Sequence, residues 1–435
     1  MKVSKFINTD LKEFSTYDNH RSIPSLVDGF KPSQRKAMYG MIKRGEGAGE
    51  IKVAQAAAYV AQVTDYHHGE VSMEGTIVGL AQDYTGSNNL NLLSPEGQFG
   101  SRLTKESASS RYIFTKLHDN FRKVFPKADN TILEYQYSDG QQIEPKMFLP
   151  IIPTLLVNGA DGIGTGFACK ILNYNPKDLK RYVKAKVEGK KSPKVPDPWW
   201  DGFNGTVERL PFNRVKISGV LKVVNTTTIE ITELPIGTFL ETYKGILNGL
   251  EDDGFIRSYD DASTEEGFRF EIKCPRTTTA LSHEKLLAKF KLVTPVTENF
   301  TVWDETYNRI VSFEHVGDLI DHFVEFRLAR YEDRRLQTII DWQGDLDWLE
   351  EKLRFVEFYL KNTDKFTKKT KDQLFTLLEK EGFSEIDKLL SQKIYSLTGD
   401  EITKLKGLIK AKNADIKGMQ STTSDTMYIN EINSL

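Results

Sequence analysis

Seven apolar residues, Ile339, Trp342, Leu346, Leu349, Leu353, Val356 and Leu360, follow one another at steps of 3-4-3-4-3-4. A strand alternates faces at every second residue, whereas steps of three and four place all seven on one stripe of an α-helix. Sustained this long, the stripe is a heptad seam and calls for a second apolar stripe to cover it. Ile402, Leu405, Ile409, Ile416 and Met419 supply one on a returning helix. Between the two lies a polar segment with short helices, TKKTKDQLFTLLEKEGFSEIDKLLSQK. The pattern predicts a long antiparallel arm with a small head near residues 362–400. Spacing alone leaves an ordinary helical bundle open.

The arm is one part of a 435-residue chain. At roughly 150 residues per domain, that length predicts about three domains. A hydrophobic content of 39% and a charged content of 28% are those of an ordinary globular chain. No apolar run is long enough to span a membrane, and the start, MKVSKFINTDLKEF, has no signal-peptide core. Cys169 and Cys274 lie far apart and suggest neither a disulfide framework nor a zinc site, so a reducing, cytoplasmic setting is expected. The net charge of −2 excludes a uniformly basic nucleic-acid coat but allows a local basic face. Residues 31–44 hold Lys31, Arg35, Lys36, Lys43 and Arg44 with no acid among them, and bases again outnumber acids over 102–127. Acids gather later, at 251–253, 260–261 and 345–351.

The first 150 residues read as mainly helical with a small β element. DGFKPSQRKAMYGMIKRGEG predicts a helix that starts at Pro32, where a missing N–H is harmless, and stops at Gly45. KVAQAAAYVAQV and VSMEGTIVGLAQDY predict two more. LNLLSPEGQFGSRL reads as a turn-interrupted strand pair, which together with the helices fits a winged helix-turn-helix with Arg35 and Lys36 available to DNA phosphates. A small helical domain with a solvated basic face fits the same residues. The apolar run opening MFLPIIPTLLVNGADGIGTGFACKIL predicts a buried strand, and its clustered glycines permit tight turns and close backbone approach. EGKKSPKVPDPWWDGFNG reads as a linker or loop. NGTVERL, RVKISGVLKVV, TTIEITELP and FRFEIKCP alternate polar and apolar residues, as half-exposed antiparallel strands do, and predict a separate α+β domain.

Specific stretches carry a resemblance. RSIPSLVDGFKPSQRKAMYGM (21–41), KVAQAAAYVAQVTDYHHGE (52–70), GLAQDYTGSNNLNLLSPEGQFGSR (79–102), ASSRYIFTKL (108–117) and LPIIPTLLVNGADGIGTGF (149–167) resemble, in this order, the breakage-reunion region of type IIA DNA topoisomerases. IEITELP (229–235) and FKLVTPVTENFTVWD (290–304) look like the tower domain of that family. YHHGE and GIGTG resemble eukaryotic-type and T-even-phage members more than gyrase, which carries a proline between its two histidines. The resemblance implies an α+β multidomain chain. Its parts are a winged-helix DNA-binding and cleavage domain over 1–150, a tower over 151–315, and a coiled-coil arm over 316–435 with a dimerisation head near 362–400. No ATPase, acidic metal-binding or DNA-wrapping segment is evident. The chain therefore looks most like the medium subunit of T-even-like bacteriophage type II topoisomerases, acting inside an infected bacterial host.

What the resemblance implies chemically attaches to named residues. Tyr112 matches the nucleophile that attacks a phosphodiester to leave a 5′-phosphotyrosine and a free 3′-hydroxyl. The phosphodiester energy stays in the protein–DNA ester, so rejoining needs no ATP. A phenol with an ordinary pKa of about 10 is a weak nucleophile and needs help. Arg111 matches the adjacent arginine, whose guanidinium can hold phosphoryl oxygens bidentately. Arg21 and His68 match residues around the scissile phosphate, and His67 is either a DNA contact or structural. Lys31 and Arg35 match basic recognition-helix positions, with Lys36 beside them, and Ile163 matches an intercalating wedge. His67, His68 and Glu70 lack a further ligand at metal spacing. Mg²⁺ and ATP are accordingly expected on a separate ATPase/metal-binding subunit. Double-stranded DNA is the expected substrate, and a homodimer would set two Tyr112 residues on opposite strands. A non-catalytic coiled-coil protein that organises DNA is the competing expectation. A lesser one is a supercoiling chain of the gyrase type.

Overall fold

The computed structural model describes residues 3–191, 193–367, 369–393 and 397–435. Ser192, in the proline- and lysine-rich segment, and residues 368 and 394–396, within the expected head, lie outside the described residues. The chain forms two compact units, residues 1–327 with 431–435, and residues 328–430.

In the first unit, three helices, Pro32–Arg44, Val53–Thr64 and Glu70–Ala81, pack together. Pro32 takes the first helical position and Gly45 ends that helix at φ 119°. Ala56, Ala57 and Val60 are buried, and their small side chains allow close packing: a methyl on Gly40 would sit 2.7 Å from Val60 Cγ2. A hairpin, Tyr135–Ser138 with Gln141–Pro145, supplies the wing. The segment 90–103 is not the expected strand pair. It makes isolated bridges, Leu93 to Leu117 and Glu96 to Phe114. The reason is local: Pro95 lacks a donor, and Gly97 and Gly100 sit at φ 116° and 98°, outside the pleated region. The paired strand there is Phe114–Thr115, against Ile51–Lys52.

The apolar run from 147 is likewise no strand. Pro150 and Pro153 remove two ladder donors, the chain turns into a short helix, Thr154–Asn158, and the strand begins only at Ala160. Ala160–Gly164 pairs with Phe167–Ile171 as a tight hairpin. Beyond it two antiparallel sheets form. One orders Ser258–Asp261, Phe270–Lys273, Thr228–Glu233 and Val220–Asn225; the other Val293–Thr297, Arg214–Ser218 and Thr206–Leu210. Alternation fixes their inward face: Ile229, Ile231, Phe270 and Ile272 are buried against Tyr243, Leu247 and Leu286 of flanking helices.

In the second unit, the helix Val316–Lys361 is antiparallel to Gly399–Ser421. Asp345 pairs with Lys412 at 3.0 Å while Glu357, further along, pairs with Lys406 at 3.1 Å, so one index falls as the other rises. Leu346 and Val356 are buried on one helix, and Leu405 and Ile416 on the other. Leu360, the last seam position, is exposed. Beyond it Leu378, Phe383, Ile386 and Leu389 form a small core with Phe355, after a helix opened by a Thr370/Gln373 capping box. Among the described residues no helix is long and apolar enough to cross a membrane.

Candidate active site

Tyr112 is held by its neighbours' backbone and not by its own side chain. The helix Val53–Thr64 begins with unpaired N–H groups, as every helix does. The Val53 N–H donates to Ile113 O at 3.0 Å and the Ala54 N–H to Ser110 O at 3.1 Å, so the helix start grips both sides of the tyrosine. Ile113 and Thr115 are buried, and Phe114 exchanges main-chain bonds of 2.9 and 3.0 Å with Glu96. Between these anchors the Tyr112 N–H donates to Ser109 O at 2.8 Å, forming a turn that lifts the phenol into solvent. Tyr112 is 74% exposed, and its hydroxyl makes no hydrogen bond among the described residues. A tyrosine that serves the core would bury its ring and bond its hydroxyl. The exposed Arg111 guanidinium lies 6.0 Å from the Tyr112 ring centroid.

A second group assembles on the helix Lys12–Ser22. Arg21 lies over the Tyr17 ring at 5.8 Å, and the Tyr17 hydroxyl is 3.2 Å from His68 Nε2. The Tyr66 ring meets His68 edge-on at 5.3 Å. Burial, then the nearby charges of Arg21, His67 and Lys36, lowers the His68 pKa below 6.5. The ring is therefore a neutral donor at neutral pH and not a cation. His67 turns away to Asp65, 3.1 Å from its Nε2, and Asp65 in turn accepts from the Ser138 hydroxyl of the wing. Arg21 and His68 are thus brought together through Tyr17; no hydrogen bond or ring contact joins them to Tyr112 among the described residues.

The hairpin that carries Ile163 docks on the same helix, and glycine is required there. A methyl on Gly162 would lie 2.0 Å from Ser22 O, and one on Gly164 2.2 Å from Asn19 Oδ1. Asn19 donates to Thr165 O at 3.0 Å, and Thr165 donates to Asp18 at 2.7 Å, which ties down the tip. With its backbone fixed, Ile163 projects at 81% exposure. Lys31 donates to Asp161 O at 2.8 Å at the base of this hairpin, and burial lowers its pKa against the pull of Cys169 and Asp161.

Two expected phosphate ligands are placed otherwise. Arg35 is 3% exposed, with Nε 2.8 Å and Nη2 3.0 Å from Asp28, and its Nη2 also donates to Tyr307 Oη at 3.0 Å. Lys36 donates to Thr64 O at 2.6 Å and pairs with Glu144 at 2.9 Å. Helical periodicity turns this face inward, so both cations serve the fold and leave no open basic stripe. Among the described residues, no three His, Cys, Asp or Glu side chains converge as a metal ion requires, so this chain's own residues do not fit a Mg²⁺ site. Tyr17 was not identified from the sequence. Its signal is the spacing of four to Arg21, one turn apart on a helix.

Comparison with known proteins agrees with this geometry. The family model for DNA gyrase/topoisomerase IV, for the A chain of those enzymes, matches residues 21–434. DNA topoisomerase 2 of Arabidopsis thaliana is 40% identical over 393 residues, covering 88% of this chain and 26% of that protein. Human DNA topoisomerase 2-alpha is 40% identical over 387 residues, covering 87% of this chain and 25% of that protein. The chain thus spans about a quarter of the length of these curated relatives. The crystal structure of the Plasmodium falciparum topoisomerase II DNA-binding, cleavage and re-ligation domain superposes with a TM-score of 0.90 at 35% identity, over 99% of this chain and 63% of that one. By motif order, by sequence over nearly its whole length and by fold, the chain belongs to the DNA gyrase/topoisomerase IV family of DNA-cleaving chains.

Proposed function

We propose that the chain is the DNA-cleaving and rejoining part of a type II DNA topoisomerase, with Tyr112 as the nucleophile. The observation that carries this reading is the exposed, unbonded Tyr112 on a turn gripped from both sides, with Arg111 beside it, in a chain of this family. The phenol oxygen attacks phosphorus and forms a P–O bond, the P–O3′ bond breaks, the phenol proton is lost to solvent, and the 3′ oxygen takes one up. Arg111 and Arg21 offset the charge that builds on the phosphoryl oxygens, and neutral His68 donates a hydrogen bond to them. Rejoining is the reverse reaction. Ile163 enters a base step and bends the duplex, at a cost of about a few kcal/mol that wrapped contacts offset. Lys31, near that hairpin, is the remaining basic candidate for the phosphate track, with His67 at its edge.

Two copies of the chain, meeting through the arm's head, would cut both strands and let a second duplex pass. Mg²⁺ and ATP belong, in this reading, to a separate ATPase/metal-binding subunit, and no step above is routed through the metal. The exposed apolar residues Phe6, Ile7, Leu11 and Phe14 along the N-terminal helix support a bound partner. The unbroken His67-His68 pair supports a T-even-like phage medium subunit working in the cytoplasm of its host.

The test combines the chain with an ATPase/metal-binding subunit, supercoiled DNA and Mg²⁺. The reaction is stopped with SDS, digested, and the nucleotide-bearing peptide mapped. An adduct on Tyr112, lost in Tyr112→Phe, is expected. An adduct on another residue, or none with DNA bound, overturns the assignment.

A further inference from the structure

We infer that Tyr17 is a positioning residue for His68, dictating which ring nitrogen carries the proton. The inference rests on the reading of His68 as a hydrogen-bond donor to the scissile phosphate. Tyr17 is 54% exposed, so its ring is not spent on the core. Its hydroxyl instead crosses from the helix Lys12–Ser22 to His68 Nε2 at 3.2 Å, between residues 51 apart in sequence. The same ring lies under the Arg21 guanidinium at 5.8 Å. One phenol thereby joins the two groups assigned to the phosphate. Tyr66, edge-on at 5.3 Å, holds the flank of the imidazole, and Nδ1 has no hydrogen-bond partner among the described residues.

A neutral imidazole has a single N–H, and the partner of one nitrogen sets the tautomer at the other. With the Tyr17 hydroxyl donating to Nε2, the proton resides on Nδ1, and the donor points away from Tyr17. The groups that face His68 keep the ring neutral. They are Arg21 on the helix Lys12–Ser22, Lys36 on Pro32–Arg44, and His67 and Tyr66 on its own segment, with Lys36 already paired to Glu144 and His67 to Asp65. Burial acts in the same direction. A bond donated to Nε2 exists only in the neutral ring, so it too lowers the midpoint. Removing it raises the midpoint toward 6.5.

The experiment is NMR on the chain labelled with ¹³C,¹⁵N-histidine, with the His68 signals assigned by their loss in His68→Gln. Tyr17→Phe keeps the ring beneath Arg21 and deletes only the hydroxyl. The wild-type chain is expected to show the Nδ1–H tautomer. In Tyr17→Phe its ratio to the other tautomer is expected to fall roughly threefold or more, the worth of one modest hydrogen bond, and the titration midpoint to rise. An unchanged ratio and midpoint overturn the inference, whatever happens to cleavage. The same variants are then assayed for DNA cleavage with the ATPase/metal-binding subunit. A slower rate at unchanged DNA affinity in Tyr17→Phe supports the positioning role. If His68→Gln leaves cleavage intact while the tautomer still shifts, the role given to His68 fails and the Tyr17–His68 coupling stands.

Discussion

Substituting Asp28 by alanine separates a structural Arg35 from a DNA-binding one. Asp28 is fully buried, and its carboxylate accepts four hydrogen bonds: Arg35 Nε at 2.8 Å, Arg35 Nη2 at 3.0 Å, Phe30 N at 3.0 Å and Phe148 N at 2.9 Å. Asp28→Ala leaves the Arg35 guanidinium buried without its counter-charge, at a cost of ~3–5 kcal/mol. The two main-chain N–H groups lose their acceptor as well, each worth ~1–3 kcal/mol if no water enters. These losses share one site and do not add in full, so the expected destabilisation is at least ~4 kcal/mol. Urea unfolding followed by tryptophan fluorescence reads it, since Trp303 stacks on His20 at 4.0 Å and, with Tyr307, 5.1 Å from Arg35, belongs to the same neighbourhood. The double substitution Asp28→Leu/Arg35→Met removes both charges and is expected to recover most of the loss. In Arg35→Met, measured where the chain remains folded, the salt dependence of DNA affinity should match the wild type. A lost phosphate contact would lower the slope by about 0.9. An Asp28→Ala cost under ~1 kcal/mol, or a slope change of that size, refutes the reasoning.

Ile163→Ala should leave stability within ~0.5 kcal/mol, because the side chain is exposed, while lowering DNA bending read by end-to-end energy transfer; an unchanged bend removes the wedge role. Gly164→Ala puts a methyl 2.2 Å from Asn19 Oδ1. It should cost ~1–3 kcal/mol and speed hydrogen exchange in the hairpin, and unaltered exchange would show the hairpin is not seated as described. Leu346→Ala, in the buried seam, should destabilise the arm by ~2–4 kcal/mol, whereas Leu360→Ala, at its exposed end, should stay within ~0.5 kcal/mol by thermal melting; equal effects would contradict the seam.

What could be read from the sequence is what short-range periodicity determines. Pro32 and Gly45 bracket a helix because proline lacks a donor and glycine tolerates φ 119°. The seam from Ile339 to Leu360 and the alternation at Ile229 and Ile231 report their buried faces directly. What could not be read is pairing over distance. Arg35 stands in an acid-free basic run and looks free, yet Asp28 lies seven residues upstream and Tyr307 lies 272 residues away, and together they draw it inward. Lys36 meets Glu144 for the same reason. The run at 147–157 is apolar enough for a strand, but Pro150 and Pro153 make a ladder impossible, a local veto that overrides the apolar pattern. Exposure is the harder property. Tyr112 adjoins Ile113, and Ile163 resembles any core isoleucine; only the backbone anchors around each show that the neighbour is buried and the candidate is not. Motif order could point to Tyr112 without that knowledge. It could not point to Tyr17, whose chemistry depends on a histidine 51 residues away and exists only once the helix and the loop are folded together.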